Sequence, residues 1–222
     1  MTATTHATQE AFDAGVYSFA AAARLIDGAS ARQLRYWVRS GLTPPTHPRD
    51  PARPWESHVL SFHDVISLEI VRRMRGLGVS LQKVRTLEAQ LRTYRPQAQR
   101  PFAHELFWTD GVDVWFELEP GDTRLVQATG RNQRNLAWKP AIVTFAEEID
   151  YEAGAAVRWK PAEHVHIDPR RQFGDPVVAG TRVPVRTVLL NLEAGTVDQV
   201  AEWYGLSVAQ VQAAHRFAAE HA

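Results

Sequence analysis

Cysteine is absent from this sequence of 222 residues. Its absence excludes disulfide scaffolds, thiol nucleophiles, thiol redox switches and every zinc site that needs thiolate ligands. Long apolar runs are missing as well, since no segment approaches the roughly 20 continuous apolar residues that cross a bilayer. The first residues lack the features of a secretory signal and include Glu10 and Asp13. We therefore expect a soluble, cytoplasmic protein.

Net charge is also absent, because 25 basic side chains balance 25 acidic ones. A nucleic-acid-binding domain usually carries a basic excess, so the total argues against one. The charges are unevenly spread, however: residues 1–100 carry a net +6, residues 101–162 a net −4 and residues 163–222 a net −2. Arginine supplies 13 of the 14 basic groups in the first hundred residues, and its planar fork suits phosphates and guanine edges. That region is either a nucleic-acid surface or simply a well-solvated helical one.

Two short capped helices are predicted in this basic region. Ser18 can cap the first, and Gly28 can end it. Ser30 and Gln33 have the S-x-x-Q spacing of a capping box ahead of the second, and Gly41 stands where a helix-ending glycine belongs. Two short helices joined by a tight turn are typical of a helix-turn-helix.

The second of these helices has the layout of a recognition helix. Its apolar stripe consists of Leu34, Trp37 and Val38. Because these residues take the core face, the polar residues of the same helix point away from the core. The outward residues are Arg32, Gln33, Arg35, Tyr36 and Arg39. A basic second helix of this kind reads the major groove in helix-turn-helix proteins.

A proline-rich loop follows the recognition helix. Five prolines between residues 43 and 57 exclude a helix or a central strand and leave a stiff, extended loop. Such a loop can hold Arg49 and Arg53 along the phosphate backbone as a wing. Ser61 and Ser80 then cap two further helices, and Pro96 ends the second.

These segments resemble the MerR-type winged helix-turn-helix regulators. The resemblance rests on Tyr17-Ser18, Ser30 to Trp37, Ser40-Gly41-Leu42, Phe62 to Val65 and Arg75 to Leu81. It implies that Arg35 and Tyr36 contact the DNA backbone, that Arg32 reaches base edges and that the loop after Pro44 is the wing. It also implies a homodimer that reads two half-sites. The sequence departs from the family in two respects: the helix from Ser80 to Arg95 is short for a dimerising coiled coil, and no cysteine follows it, which excludes thiol-based metal sensing.

In the middle of the chain the apolar period changes from about 3.6 residues to two. Asp110-Gly111 is a strong hairpin-turn pattern between a strand that contains Trp108 and an alternating strand from Val112 to Leu118. Arg124 to Ala128 reads as another strand. The sequence therefore predicts a small antiparallel sheet. Its tryptophans, such as Trp115, fit a small core, a ligand pocket or a partner-binding face.

Three residues that follow the predicted sheet are candidate metal ligands. His164 and His166 alternate on a predicted strand and would point the same way, with Asp168 close behind. No further protein ligand is evident nearby, so we favour a surface strand that opens a new domain, and we predict no metal, no cofactor and no enzyme activity. Hydrolase activity would rest on these three residues alone.

Short β-like stretches and three helices close the sequence. The stretches are Val177-Val178 and Val183 to Val185, with a tight turn at Gly180. Thr196 with Gln199, and Ser207 with Gln210, form two more capping boxes. The result is a second helix-turn-helix-like unit of three helices.

This carboxy-terminal stretch resembles a bacterial domain found in VapB-like antitoxins encoded beside PIN-type ribonuclease toxins. The resemblance rests on Asp168-Pro169, Phe173 to Val178, Ala179 to Val185, Leu192, Gly195 and Tyr204. It implies an antitoxin, a dimer, repression of its own operon and a toxin partner. PIN-type toxins carry an acidic metal-binding cluster that an antitoxin arginine could enter. The candidates for partner contact are Arg131, Arg134, Arg182 and Trp115.

Together these observations predict an α+β chain in four parts. Residues 1–16 form a loose tail, 17–95 a winged helix-turn-helix, 96–162 the antiparallel β segment and 163–222 the antitoxin-like unit. We expect an antitoxin that neutralises a PIN-type toxin and represses its own operon. The predicted DNA contacts are Ser30, Arg32, Gln33, Arg35, Tyr36, Arg39, Arg49 and Arg53. The alternative is a one-component regulator with a small-molecule effector site in the middle sheet.

Overall fold

The computed structural model describes residues 17–47, 59–94, 96, 100–103, 107–109, 114–116, 124–127, 136–138, 143–144, 148–152 and 154–221. Four α-helices come first in this part of the chain: α1 (Phe19–Leu25), α2 (Ala31–Arg39), α3 (Phe62–Gly76) and α4 (Leu81–Tyr94). Two antiparallel sheets follow, and then α5 (Val185–Leu192), α6 (Val197–Tyr204) and α7 (Val208–Glu220). The predicted α+β class is confirmed. No helix within the described ranges is both long and apolar enough to cross a membrane.

Side-chain caps begin most of the helices where the sequence predicts them. The Ser18 hydroxyl accepts a hydrogen bond from the Ala21 amide at the start of α1. Complete capping boxes begin α3, α6 and α7, so two donors that a helix start leaves unpaired are satisfied each time. At α2 only half of the predicted box forms: Ser30 accepts from the Gln33 amide, and the Gln33 side chain remains exposed.

Helix α3 is the centre of the amino-terminal half. Eleven of its 15 residues are buried, which is typical of a helix packed on all sides. An isolated antiparallel bridge pairs Tyr17, just before α1, with Leu60, just before α3. This bridge holds the start of the helix-turn-helix against the start of the central helix.

The first sheet has five strands: β1 (Phe107–Thr109), β2 (Val114–Phe116), β3 (Arg124–Gln127), β4 (Leu136–Trp138) and β5 (Val143–Thr144). Their order is β4-β3-β2-β1-β5, and every pairing is antiparallel. Strands β1 and β2 pair as the predicted hairpin, with Trp108 opposite Trp115. The Asp110-Gly111 turn itself lies outside the described residues.

The second sheet joins the middle of the chain to its carboxy-terminal helices. Its strands are β6 (Ile149–Glu152), β7 (Ala155–Ala162), β8 (Val165–Ile167) and β9 (Val177–Val178), paired antiparallel in that order. Helix α7 packs on β8 and β9. We refer to this sheet with α5, α6 and α7, residues 149–221, as the carboxy-terminal unit.

One predicted β stretch in this unit, Val183 to Val185, forms only in part. Pro184 makes an isolated antiparallel bridge to Val177, in which the Val178 amide donates to the Val183 carbonyl and the Val185 amide to the Pro176 carbonyl, but Val185 already begins α5. Proline has a φ that suits a helix start and no amide hydrogen to satisfy there, so Pro184 favours a helix after it. The predicted tight turn is present, since Gly180 has φ +79°.

Candidate DNA-binding surface and its junction with the carboxy-terminal unit

Helix α2 separates an apolar face from a basic one as the sequence predicts. Its three apolar residues, Leu34, Trp37 and Val38, are buried. Its polar residues are all exposed, and we call them the α2 face: Arg32, Gln33, Arg35, Tyr36 and Arg39. Tyr36 is 56% exposed, which is unusual for so large a ring. The α2 face, with three arginines, a glutamine and an exposed tyrosine, has the composition of a surface that meets a nucleic acid.

The arginines of the α2 face are not neutralised by the described part of the molecule. The helix contains no acidic residue, and neither Arg32 nor Arg39 pairs with a carboxylate that the structure describes. The Arg35 guanidinium lies 5.3 Å from the centre of the Phe19 ring of α1, an arrangement that orients the charge without cancelling it. Arg72 and Arg73 of α3, by contrast, both bond the buried Glu69 carboxylate.

A buried carboxylate anchors the loop that leaves the recognition helix. Asp64 lies at the third position of α3, where it completes the capping box with Ser61. The same carboxylate accepts hydrogen bonds from the Thr46 amide at 3.0 Å and from Arg100 Nε at 2.7 Å. The loop is therefore held at residue 46 and again at the Leu60 bridge. The predicted wing arginines between these anchors, Arg49 and Arg53, lie outside the described residues.

The residues considered as metal ligands do not converge. His164 lies in a turn with φ +60°, not on the strand, and His166 lies on β8. The Asp168 carboxylate accepts two hydrogen bonds from the Arg170 guanidinium, at 2.9 and 3.0 Å, so a protein cation already occupies it. Burial, followed by the charge of Arg158, lowers the pKa of His166. No group of three His, Asp or Glu residues that could hold a metal ion occurs within the described ranges.

The predicted partner-contact residues occupy different environments. Arg182 is exposed on the turn that leads into α5. Trp115 is only 8% exposed and so offers little surface to a partner. Arg131 and Arg134 fall between the described ranges.

Among the described residues, polar side chains join the amino-terminal helices to the carboxy-terminal unit and the residue just before it. The Tyr17 hydroxyl donates a hydrogen bond of 2.7 Å to the Gly174 carbonyl, in a buried setting. The His63 ring on α3 bonds the Ala156 carbonyl of β7 at 3.0 Å. The Arg73 side chain pairs with Glu148, just before β6. The amino-terminal helices and the carboxy-terminal unit are thus bonded to each other through buried and half-buried groups.

The loop that receives Tyr17 has an unusual backbone, which sequence reasoning missed. In this junction loop, residues 171–174, Gln172 has φ +49° and Phe173 has φ +55°. Neither is a glycine, and each left-handed residue of this kind costs about 1–2 kcal/mol. The Phe173 side chain is 84% exposed. A strained loop that presents an aromatic side chain to solvent is typical of a functional surface rather than of a core.

Gly174 makes the close approach of Tyr17 possible, so replacing Gly174 by alanine should loosen the junction. A Cβ at this position would lie 2.0 Å from the Tyr17 hydroxyl oxygen, and φ there is +82°. We expect a loss of about 2–4 kcal/mol of unfolding free energy in urea titrations. Gly180→Ala is the matched control, because φ is +79° and nothing lies within 4 Å of its Cβ. It should cost only about 1–2 kcal/mol. Equal losses in the two variants would contradict the proposed clash.

The Tyr17 hydroxyl should also make stability fall in alkali. Burial, and then the nearby Asp175 and Asp168 carboxylates, raise the pKa of Tyr17. The folded chain therefore keeps a proton that the unfolded chain releases near pH 10. This stabilisation is complete below pH 10 and is lost above it, by up to about 1.4 kcal/mol per pH unit. Tyr17→Phe should be about 1 kcal/mol less stable than wild type at pH 7. Urea unfolding at pH 7, 9, 10 and 10.5 should show this difference shrinking above pH 10, and a constant difference would contradict the assignment.

A basic helix on a helix-turn-helix scaffold is typical of DNA-binding regulators, and comparison with known families points to the same class. Residues 17–91 match the family described as MerR HTH family regulatory protein. Residues 165–218 match the family described as protein of unknown function DUF433. The chain therefore carries a region similar to MerR-type helix-turn-helix regulators at residues 17–91 and a DUF433 region within its carboxy-terminal unit, and the MerR-type match points to a regulatory role.

Individual relatives come from Mycobacterium tuberculosis. The uncharacterized HTH-type transcriptional regulator Rv1830 is 32% identical over 90 residues, which are 40% of this chain and 38% of that protein. The match thus spans less than two fifths of the length of that regulator. The candidate antitoxin VapB45 is 26% identical over 174 residues, which are 72% of each chain. The crystal structure of Rv2018 shares the fold, with a TM-score of 0.65 at 21% identity over 92% of this chain and 99% of that one.

Proposed function

We propose that this protein is a cytoplasmic antitoxin of a type II toxin–antitoxin system. It binds and neutralises a PIN-type ribonuclease toxin, and it represses its own operon by binding DNA. The observation that carries the proposal is the combination of two parts in one chain. A MerR-type domain with an unneutralised basic helix is bonded to a DUF433 domain, and the similarity to the candidate antitoxin VapB45 extends through 72% of the chain.

The amino-terminal domain provides the DNA contacts in this proposal. The α2 face enters the major groove, where Arg32 reaches base edges and Arg35, Tyr36 and Arg39 meet phosphates. Ser30 and Gln33 lie at the exposed start of the same helix, and Arg49 and Arg53 would follow the backbone from the wing. A homodimer would present two such helices to two half-sites.

The carboxy-terminal unit provides a toxin-binding surface. Its surface offers the exposed Arg182 and the exposed Phe173 ring. An arginine can pair with the acidic metal-binding cluster of a PIN-type toxin, and an exposed aromatic side chain is a common anchor in protein interfaces. Arg131, Arg134 and Trp115 remain candidates in the middle segment.

Co-expression with the product of the adjacent gene tests the toxin partner. We expect the two proteins to copurify and the growth arrest caused by that product to be relieved. Phe173→Ala and Arg182→Ala should weaken the complex, whereas Arg85→Ala, an exposed arginine of α4, should not. Failure of wild-type protein to form a complex or to restore growth would rule out the antitoxin proposal and leave the DNA-binding proposal standing.

A further inference from the structure

A cavity of about 390 Å³ lies between the DNA-binding domain and the carboxy-terminal unit. Helix α1 forms one wall with Leu25, and α5 and α7 form the opposite wall with Val185 and Phe217. All three side chains are buried, with exposed fractions of 8%, 5% and 3%. The volume falls within the range of small-molecule sites, which are concave, mostly apolar and furnished with a few polar groups.

Two guanidinium groups line this apolar cavity. Arg24 projects from α1, is exposed and pairs with no carboxylate that the structure describes. Arg186 projects from α5 and lies 2.8 Å from Asp175, but the two side chains are 69% and 41% exposed. A solvent-exposed pair of this kind contributes little, so Arg186 can also bond an incoming anion. With two arginines and one aspartate at its edge, the cavity favours a negatively charged group.

We propose that this cavity binds an apolar carboxylate of about a dozen non-hydrogen atoms. A water molecule occupies about 30 Å³ in the liquid, and we assume about the same volume for each non-hydrogen atom of a ligand. Dividing the cavity volume by this value gives the size of the ligand. The apolar body of the ligand packs between Leu25, Val185 and Phe217. Its carboxylate accepts hydrogen bonds from Arg24 and Arg186, which are strong because both partners are charged.

Such a ligand would link the two domains. The walls of the cavity come from α1 of the helix-turn-helix and from α5 and α7 of the DUF433 domain. Tyr17, which donates a hydrogen bond to the junction loop, also borders the cavity. A bound carboxylate therefore stabilises the relative position of the two domains as well as the fold. None of the residues that line this cavity belongs to the middle sheet, in which the alternative hypothesis from the sequence predicts a small-molecule effector site.

Calorimetric titration of the full chain with 4-phenylbutyrate, octanoate and indole-3-acetate tests this site. We expect at least one of these carboxylates to bind and to raise the melting temperature. The neutral amide of the same compound should bind at least about tenfold more weakly. Arg24→Gln should lower the affinity by about tenfold. Arg85 does not line the cavity, so Arg85→Gln removes one positive charge elsewhere and should leave the affinity unchanged.

Filling the cavity provides the second arm of the test. Ala218 lines the cavity and Ala219 is exposed beside it on α7, so Ala218→Phe should abolish binding and Ala219→Phe should not. Leu189→Trp, which also fills the cavity, replaces Ala218→Phe if that variant does not fold. Absence of binding for all three carboxylates overturns the proposal. Binding that is retained in both cavity-filling variants, or that is equally tight for an acid and its amide, also overturns the proposal. Neither DNA nor toxin is needed, so these outcomes are independent of the proposed function.

Discussion

Replacing Asp64 by alanine should lower the free energy of unfolding by about 3–5 kcal/mol, because it removes one partner of a buried ion pair. The Asp64 side chain is only 3% exposed and the Arg100 side chain 12%. The carboxylate bonds the Ser61 amide inside the capping box, the Thr46 amide and Arg100 Nε. With alanine at position 64 these donors lose their common acceptor, and the start of the wing loop loses its hydrogen bond at Thr46.

Urea unfolding followed by tryptophan fluorescence measures this loss. Asp64→Asn keeps the shape and one acceptor oxygen, so it should lie between the alanine variant and wild type. Asp27→Ala is the matched control, since Asp27 is exposed in the turn after α1, and surface changes usually stay within about 0.5 kcal/mol. An Asp64→Ala variant within 1 kcal/mol of wild type would show that Asp64 does not hold the loop.

The helices could be predicted from sequence because their determinants are local. A capping residue and its partner are three positions apart, so Ser61 with Asp64, or Ser207 with Gln210, identifies a helix start without knowledge of the fold. The basic and apolar faces of α2 follow from the same short-range periodicity. Strand pairing within the hairpin was equally local.

Contacts between segments that are distant along the chain could not be predicted from the sequence. The Tyr17 hydroxyl meets the Gly174 carbonyl 157 positions later, and the Asp64 carboxylate meets Arg100 36 positions later. Both depend on the packing of elements that periodicity does not order. The junction loop was also missed, because left-handed φ values at Gln172 and Phe173 occur without the glycine that normally marks them.

Segment charge indicated residues 1–100, which contain the MerR-type match at 17–91, but it could not show which arginines are available to a nucleic acid. The net +6 of residues 1–100 includes Arg72 and Arg73, which bond Glu69 within α3. It also includes Arg100, which bonds Asp64. Arg32, Arg35 and Arg39, by contrast, share one exposed helix face and pair with no carboxylate that the structure describes.

Replacing Arg32, Arg35 and Arg39 together by alanine should weaken binding to the DNA upstream of the gene by about 100- to 1,000-fold. Each phosphate contact contributes about −0.9 to the slope of log K against log salt concentration. If Arg35 and Arg39 meet phosphates, the triple variant should lower the magnitude of the slope by about two. Arg32→Ala alone should instead reduce discrimination between sequences and change the slope little, because a base contact carries specificity.

A charge-matched variant separates these contacts from general electrostatics. Lys83 and Arg85 lie on α4 and Arg216 on α7, so none of them belongs to the α2 face, and their replacement by alanine removes the same number of positive charges. Fluorescence anisotropy across a range of salt concentrations should show that this variant retains most of the affinity and the slope. Since Leu34, Trp37 and Val38 form the buried side of α2, the arginine changes leave the core intact, and unchanged melting temperatures should confirm it. Equal losses in both triple variants would mean that net charge, rather than the α2 face, determines DNA binding.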